Sequence, residues 1–384
     1  MPDILRAWLL VLSAFLSSRK IIVFHFGLPS HIQNVGDIPL LLEREKKYLV
    51  IKSYEWEIDR LNQIKNYKNH KQDISKKSFY NPAGFVMATI PAHLSVVPAC
   101  GKKIGYPFFA KKIHFFISMA SFHGVYNRDM LTDYDFYFCA GKHQFEDLPN
   151  WLRKYDQRNG VAVPGGYPKL DVLLRKVSCV ESSSQQVKLS DMQIIIYAPT
   201  HVYKVNENSA SVRKYGSEIV KNSSKKHKLI FRPHPVSFYD EDSDLIEAII
   251  KANSSNVNFN LDSSENYFNS YSSSDLMITD LSGTGFTYAF AFEKPVIFID
   301  RGIKGKGIQF EQRDKIGMVC NNIENLDDTI NDVLENYDEL VKNISIYRET
   351  LLYNIGNSEK YFVANIENII SSKYSNDWTD IKTL

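Results

Sequence analysis

Residues 276–290 run LMITDLSGTGFTYAF. Leu276-Met277-Ile278-Thr279 is a short apolar run bounded by turn residues, which predicts a buried strand. Asp280 follows, then Ser282-Gly283-Thr284-Gly285, and a helical pattern runs from Gly285 to Glu293. Strand, glycine-containing turn and helix start in that order belong to a parallel α/β sheet. They also bring backbone N–H groups and two hydroxyls around a point suited to an anion. The turn lacks the GxxxxGK[ST] pattern of a P-loop, and Ser282 fits a plain helix N-cap equally well.

Working outward, Pro295–Ile299 is a further strand candidate, and upstream lie Ile194–Tyr197 and Lys228–Phe231, with a helical pattern over Leu245–Asn253. Alternating strands and helices predict a doubly wound parallel sheet, in which ligands sit beyond the carboxyl ends of the strands. One such end is KLIFRPHP, residues 228–235. Its two prolines fix the backbone and are expected to hold Arg232 and His234 outward. Arginine offers a planar fork for phosphate oxygens, and histidine can donate a hydrogen bond or a proton to a leaving phosphate. The end of the Ile194 strand, Tyr197-Ala198-Pro199-Thr200-His201, places Thr200 and His201 as further candidates for the same crevice.

The first half carries a second series, with strands expected at Ile21–Phe24, Tyr48–Ile51, Phe85–Ile90, Asp135–Ala140 and Val161–Val163. Helical spacing covers Leu40–Lys47 and Glu55–Asn66, Pro164-Gly165-Gly166-Tyr167-Pro168 reads as a turn, and Ser178–Ser190 reads as a linker. Two lobes are therefore expected, at 1–177 and 191–357, followed by a helical segment at 358–384 in which Trp378 docks a last helix. In the first lobe His123 stands beside a glycine in Ser121-Phe122-His123-Gly124, where a crevice-facing imidazole would take a proton from an acceptor hydroxyl. His25, at a strand end, and Asp37, after the loop Gly27–Gly36, are the other acceptor-side candidates.

A chain of 384 residues is too long for one ordinary core, which agrees with two domains. The composition, 44% hydrophobic and 23% charged, is that of a folded globular protein, and the net charge of +2 falls far short of a dedicated nucleic-acid binder. Basic runs at Lys102-Lys103, Lys111-Lys112 and Lys225–Lys228 read either as solvated turns or as a patch for an anionic membrane or polymer. The four cysteines are scattered without a CxxC pair, which fits a reducing cytosol and suggests no zinc site. Residues 1–19 hold the apolar run Ala7–Phe15, shorter than the about 20 residues a span requires, so a buried or interfacial helix is expected rather than a signal peptide.

The segments YAPT, RPHP and TDLSGTGFTYAFAFEKPVIFID, in that order, resemble the CDP-glycerol glycerophosphotransferases that build teichoic acids and related capsule polymers. FHG at 122–124 and GYPKLDVLL at 166–174 are similar to that family's WHG motif and GYP-x-x-D segment. The sequence departs from the pattern at Phe122, in place of Trp, at Val125, in place of Thr, and at Asp280-Leu281-Ser282-Gly283, where the family reads DYSS. The resemblance implies a GT-B-like pair of Rossmann-like lobes with the donor in the cleft, and neither a metal nor a cofactor beyond the nucleotide donor itself. It also implies His123 as base for the acceptor, with Arg232, His234, Ser282 and Thr284 holding the donor diphosphate; Thr200, Asp280, Gly283 and Gly285, read from the strand ends themselves, complete the expected donor-binding set. The expected partners are a CDP-activated donor and a lipid-linked or polymeric saccharide acceptor at the inner face of the bacterial cytoplasmic membrane. Two readings stay open beside it: a GT-B glycosyltransferase using a CMP- or UDP-sugar such as sialic acid or Kdo, and a binding or scaffold protein that kept the fold.

Overall fold

The apolar runs become buried parallel strands, because a strand covered by helices on both faces has no polar face with which to alternate. The computed structural model of the chain describes residues 2–26, 29–54, 78–80, 89–98, 107–123, 126, 128–157, 159–183, 192–200, 210–239, 241–264 and 266–383. The expected helix Glu55–Asn66, most of the expected strand Phe85–Ile90, Gly124, Val125 and His201 lie outside those residues. The chain divides into two units, Met1–Val172 with Leu352–Leu384, and Leu173–Leu351.

The second unit holds β8 (Ile194–Tyr197), β9 (Lys228–Phe231), β10 (Phe259–Leu261), β11 (Leu276–Thr279), β12 (Val296–Ile299) and β13 (Gly317–Cys320). They form a parallel sheet in the order β10-β9-β8-β11-β12-β13. The order reverses between β8 and β11, and the crevice beyond their carboxyl ends is the topological switch point at which such sheets bind ligands. The helix Gly283–Phe292 follows β11, with every residue from Gly285 to Phe292 buried. A helix apolar on all sides has to lie inside the core. Glu293 ends it in the left-handed conformation, at φ +52°.

The first unit has the same plan. β1 (Lys20–Phe26), β2 (Tyr48–Tyr54), β3 (Ser78–Tyr80), β4 (Leu94–Val97), β5 (Lys111–Phe115), β6 (Phe136–Cys139) and β7 (Val161–Pro164) pair in parallel in the order β3-β2-β1-β4-β5-β6-β7. A last strand, β14 (Thr379–Asp380), adds to β7 in antiparallel. β5 carries no simple apolar signal, since it reads KKIHF, yet His114 is fully buried, with its ring 5.0 Å from Phe116 and 5.6 Å from Tyr126.

The tail 358–384, expected as a segment of its own, belongs to the first unit. Phe362, Ile366 and Ile369 of the helix Ser358–Ser371 lie in one core cluster with Phe115, Phe138 and Trp378, and the Trp378 indole donates to the Tyr361 hydroxyl at 2.9 Å. Asp171, the last residue of the GYPKLD motif, holds the start of that helix. Its carboxylate accepts from the Gly356 N–H at 2.8 Å, the Ser358 hydroxyl at 3.2 Å and the Glu359 N–H at 3.4 Å. Gly166 of the same motif sits at φ +94°, where an added Cβ would lie 2.4 Å from Ser358 Oγ. The expected linker begins as helix, since Pro168–Ser183 is helical, and residues 184–190 lie outside the described ones.

At the amino end, the helix Pro2–Leu16 buries Val11 and Ala14 in a cluster with Ile21, Leu49 and Ala110. Trp8, Leu9, Leu12, Phe15 and Leu16 face outward, so this helix is part buried and part exposed. Among the described residues no helix is long and apolar enough to cross a membrane.

Candidate active site

At the switch point of the second unit, the loops after β8 and β11 are tied together by Asp280. Its carboxylate is fully buried and accepts from the Thr200 N–H at 2.9 Å, the Ser211 N–H at 2.8 Å and the Ser211 hydroxyl at 2.8 Å. Burial pushes its pKa up to about 6 against the opposing pull of those donors. A carboxylate buried in this way needs its donors for itself, so Asp280 ties the two loops together and does not face solvent. Thr200 is half-buried and bound through its backbone.

Beyond Asp280 the chain opens to solvent. Ser282, Gly283 and Thr284 are each half-buried at the start of the helix Gly283–Phe292. Ser282 Oγ accepts from the Thr284 N–H at 3.2 Å and caps the helix, which leaves the remaining N–H groups of the first turn directed beyond the sheet. The Thr284 hydroxyl meets the Tyr271 hydroxyl at 2.8 Å. Gly285 is buried, and an added Cβ would stand 3.0 Å from the Phe298 ring, so this glycine serves close helix–strand packing.

At the end of β9 the two residues between the prolines part company. His234 is exposed and starts the short helix Pro235–Phe238, with Nδ1 accepting from the Val236 N–H at 3.2 Å. In the neutral ring this places the proton on Nε2, the tautomer that can donate to a phosphate oxygen. Arg232 does not point outward as expected. It is buried, with Nη1 2.5 Å from Asp262 Oδ2 and Nη2 donating to the Ser264 carbonyl at 2.8 Å. Burial works to raise the Asp262 carboxyl, but hydrogen bonds from Ser264 and Ser270 and the Arg232 charge hold it below the usual range. The Arg232 charge also acts on Tyr271, whose hydroxyl meets that of Thr284 at 2.8 Å.

Asp262 and Tyr271 escaped the sequence reading. The alternation of Val257 to Leu261, whose last three residues form β10, carried the signal that a strand ends just before Asp262.

In the first unit, His123 is half-buried with Nε2 3.3 Å from Asp147 Oδ2, and its backbone N–H donates to Ser121 Oγ at 3.2 Å. The other two acceptor-side candidates stand differently. His25 is buried within β1, where loss of water lowers its pKa to about 3, so it is neutral and closed to solvent instead of lining a crevice. Asp37 precedes the helix Ile38–Arg44 and donates its backbone N–H to Glu359 at 2.5 Å. Among the described residues no group of three His, Cys, Asp or Glu side chains is arranged to hold a metal.

The family model for CDP-Glycerol:Poly(glycerophosphate) glycerophosphotransferase matches residues 125–368, a span that starts just after His123 and contains Asp171, His234 and the serine turn. No curated protein matches the sequence. Among solved structures, the chain is similar to a UDP-GlcNAc 2-epimerase from Neisseria meningitidis bound to UDP-GlcNAc, at 14% identity and a TM-score of 0.60, over 91% of this chain and 100% of that one. It is similar to the wall teichoic acid polymerase TagF at 16% identity and a TM-score of 0.56, over 95% and 93% of the two chains. A glycosyltransferase from Rickettsia africae follows at 14% identity and a TM-score of 0.53, over 94% and 100%. At such identities these likenesses carry the fold alone, and the fold they share is GT-B-like. The family match spans more than half of the sequence, and the chain is therefore a transferase of the CDP-glycerol glycerophosphotransferase family.

Proposed function

We propose that this enzyme moves glycerol phosphate, or a similar polyol phosphate, from a CDP-activated donor to a hydroxyl of a cell-surface polysaccharide or teichoic-acid-like acceptor, releasing CMP. The observation that carries the proposal is the open end of the second sheet. His234, with its proton on Nε2, and the Ser282–Thr284 helix start follow β9 and β11, the two strands that flank β8, within one family-matched unit. The acceptor hydroxyl gives its proton to His123 and attacks the phosphorus that bears the glycerol. The phosphoanhydride bond breaks, a phosphodiester forms, and CMP leaves with the bonding electron pair. His234 and the N–H groups at the Ser282 turn offset the charge that develops on the departing phosphate. Arg232 and Asp280 act behind them, holding the loops in place.

Incubation with labelled CDP-glycerol and, separately, CMP-sialic acid and a UDP-sugar tests the donor. Acceptor-dependent CMP release from CDP-glycerol is expected, and transfer from a sugar nucleotide alone would make the enzyme a glycosyltransferase. His234→Ala is expected to abolish turnover, whereas a scaffold would keep its biological role in that variant. Stabilisation by CDP and CMP, but not by UDP or GDP, is the matching binding result.

The acceptor side supports work at a membrane surface. The outward residues of the helix Pro2–Leu16 lie over the cluster that contains Ala110, and Phe108 and Phe109, 66% and 96% exposed, immediately precede Ala110. Lys111 and Lys112 follow, which suits an anionic lipid interface. Flotation with anionic vesicles should carry the protein, and Phe108→Ser/Phe109→Ser should leave it in the soluble fraction.

A further inference from the structure

The loop that bears His123 is gripped by one helix. Lys142–Arg153 follows β6, and His143, Gln144 and Asp147, at positions i, i+1 and i+4, reach the segment Ser118–His123 from its first two turns. Gln144 Nε2 donates to the carbonyls of Ser118 and Ala120, each at 2.9 Å, while its Oε1 accepts from the Ala140 N–H at 2.8 Å. His143, which burial keeps neutral by lowering its pKa to about 4, donates through Nε2 to the Met119 carbonyl at 2.7 Å. Phe122 is fully buried, with its ring 5.8 Å from that of Trp151 on the same helix. These contacts set the backbone of the loop, while the His123 ring lies 4.7 Å from that of Phe122 and reaches Asp147 with Nε2.

We propose that Asp147 is a positioning residue for His123. Its Oδ2, 3.3 Å from Nε2, accepts the Nε2–H and makes Nδ1 the nitrogen that takes the acceptor's proton. The same carboxylate stabilises the imidazolium formed when that proton arrives, as the carboxylate does in a Ser-His-Asp triad. The two side chains are 24% and 48% exposed, so water screens the pair and the effect is smaller than for a buried dyad. The proposal rests on the reading of His123 as the acceptor's base, and on nothing at the donor end.

The test uses the full chain with CDP-glycerol and an acceptor. Asp147→Asn, which removes the negative charge beside the imidazolium, is expected to lower kcat about 10- to 100-fold with the KM for CDP-glycerol and the stabilisation by CDP unchanged. Asp147→Glu should recover part of the loss. Nitrogen-15 spectra of the histidines should show the His123 proton on Nε2 in the wild type and divided between Nε2 and Nδ1 in Asp147→Ala, a change that a merely structural role would not produce. Wild-type turnover in Asp147→Asn, together with an inactive His123→Ala, would overturn the role of Asp147 and spare the base. An active His123→Ala would overturn both.

Discussion

The buried pair Arg232–Asp262 offers a measurement that separates architecture from donor binding. Each side chain is 9% exposed and their closest atoms are 2.5 Å apart. Asp262→Ala removes the acceptor for the guanidinium and also for the hydroxyls of Ser264 and Ser270. An arginine left buried and unpaired costs about 3–5 kcal/mol. In a domain of this size each kcal/mol moves the melting temperature by about 2–4 °C, so a fall of about 6–20 °C is expected in the unit Leu173–Leu351. All four tryptophans fall in the first unit, so circular dichroism and hydrogen exchange, rather than tryptophan fluorescence, must follow the second. Arg232→Met/Asp262→Leu removes both charges together and should return most of the stability. If the single variant melts with the wild type, the guanidinium is not held by a buried pair and the account of this strand end is wrong. If the double variant folds normally yet CDP no longer stabilises it, Arg232 contacts the donor after all.

Two further outcomes follow from the first unit and from burial. Gly166→Ala must fit a side chain at φ +94° against Ser358 and the Tyr353 carbonyl, so it should cost about 1–3 kcal/mol and speed exchange in the Ser358–Ser371 helix; unchanged exchange there would refute the motif's role as the anchor of the tail. Acidification from pH 7.5 to 5 should lower the melting temperature. His25, His31 and His143 are buried with pKa values lowered to about 3, 4 and 4, so their contribution is present above the unfolded value of about 6.5 and is lost as the pH falls below it, roughly 2 kcal/mol each at pH 5. Asp171 and Asp280, raised to about 6, act in the opposite sense, since the folded state takes up their protons first and gains stability as the pH falls from 6 toward 4. With about 1.4 kcal/mol each at pH 5 they offset only part of the loss, and a melting temperature that rises on acidification would contradict this balance.

The second sheet was largely legible in the residues themselves. β8, β9 and β11 coincide with the apolar runs 194–197, 228–231 and 276–279, because burial on both faces writes itself into the chain as uninterrupted apolar residues. The turn after β11 was legible for the same reason, since Ser282 and Gly283 mark a strand–helix junction whatever surrounds it. β5 was not, because its lysines and His114 hide a strand that only its neighbours β4 and β6 justify. Nor was the return of the tail to the first unit, which depends on the fit of Phe362, Ile366 and Ile369 against residues more than two hundred positions earlier.

The roles of individual polar residues show the same division. Local sequence determined that Arg232, His234, Asp280 and Ser282 stand at strand ends, since that follows from chain order and backbone geometry. Only the tertiary structure decided which of them face outward. Arg232 turns inward because Asp262 arrives from another strand, Asp280 because Thr200 and Ser211 come from another loop, and His123 gains a carboxylate because the helix Lys142–Arg153 packs across its loop. A strand end positions a side chain within a few bonds, but the partner that claims its charge lies tens of residues away, and that distance closes only when the chain folds.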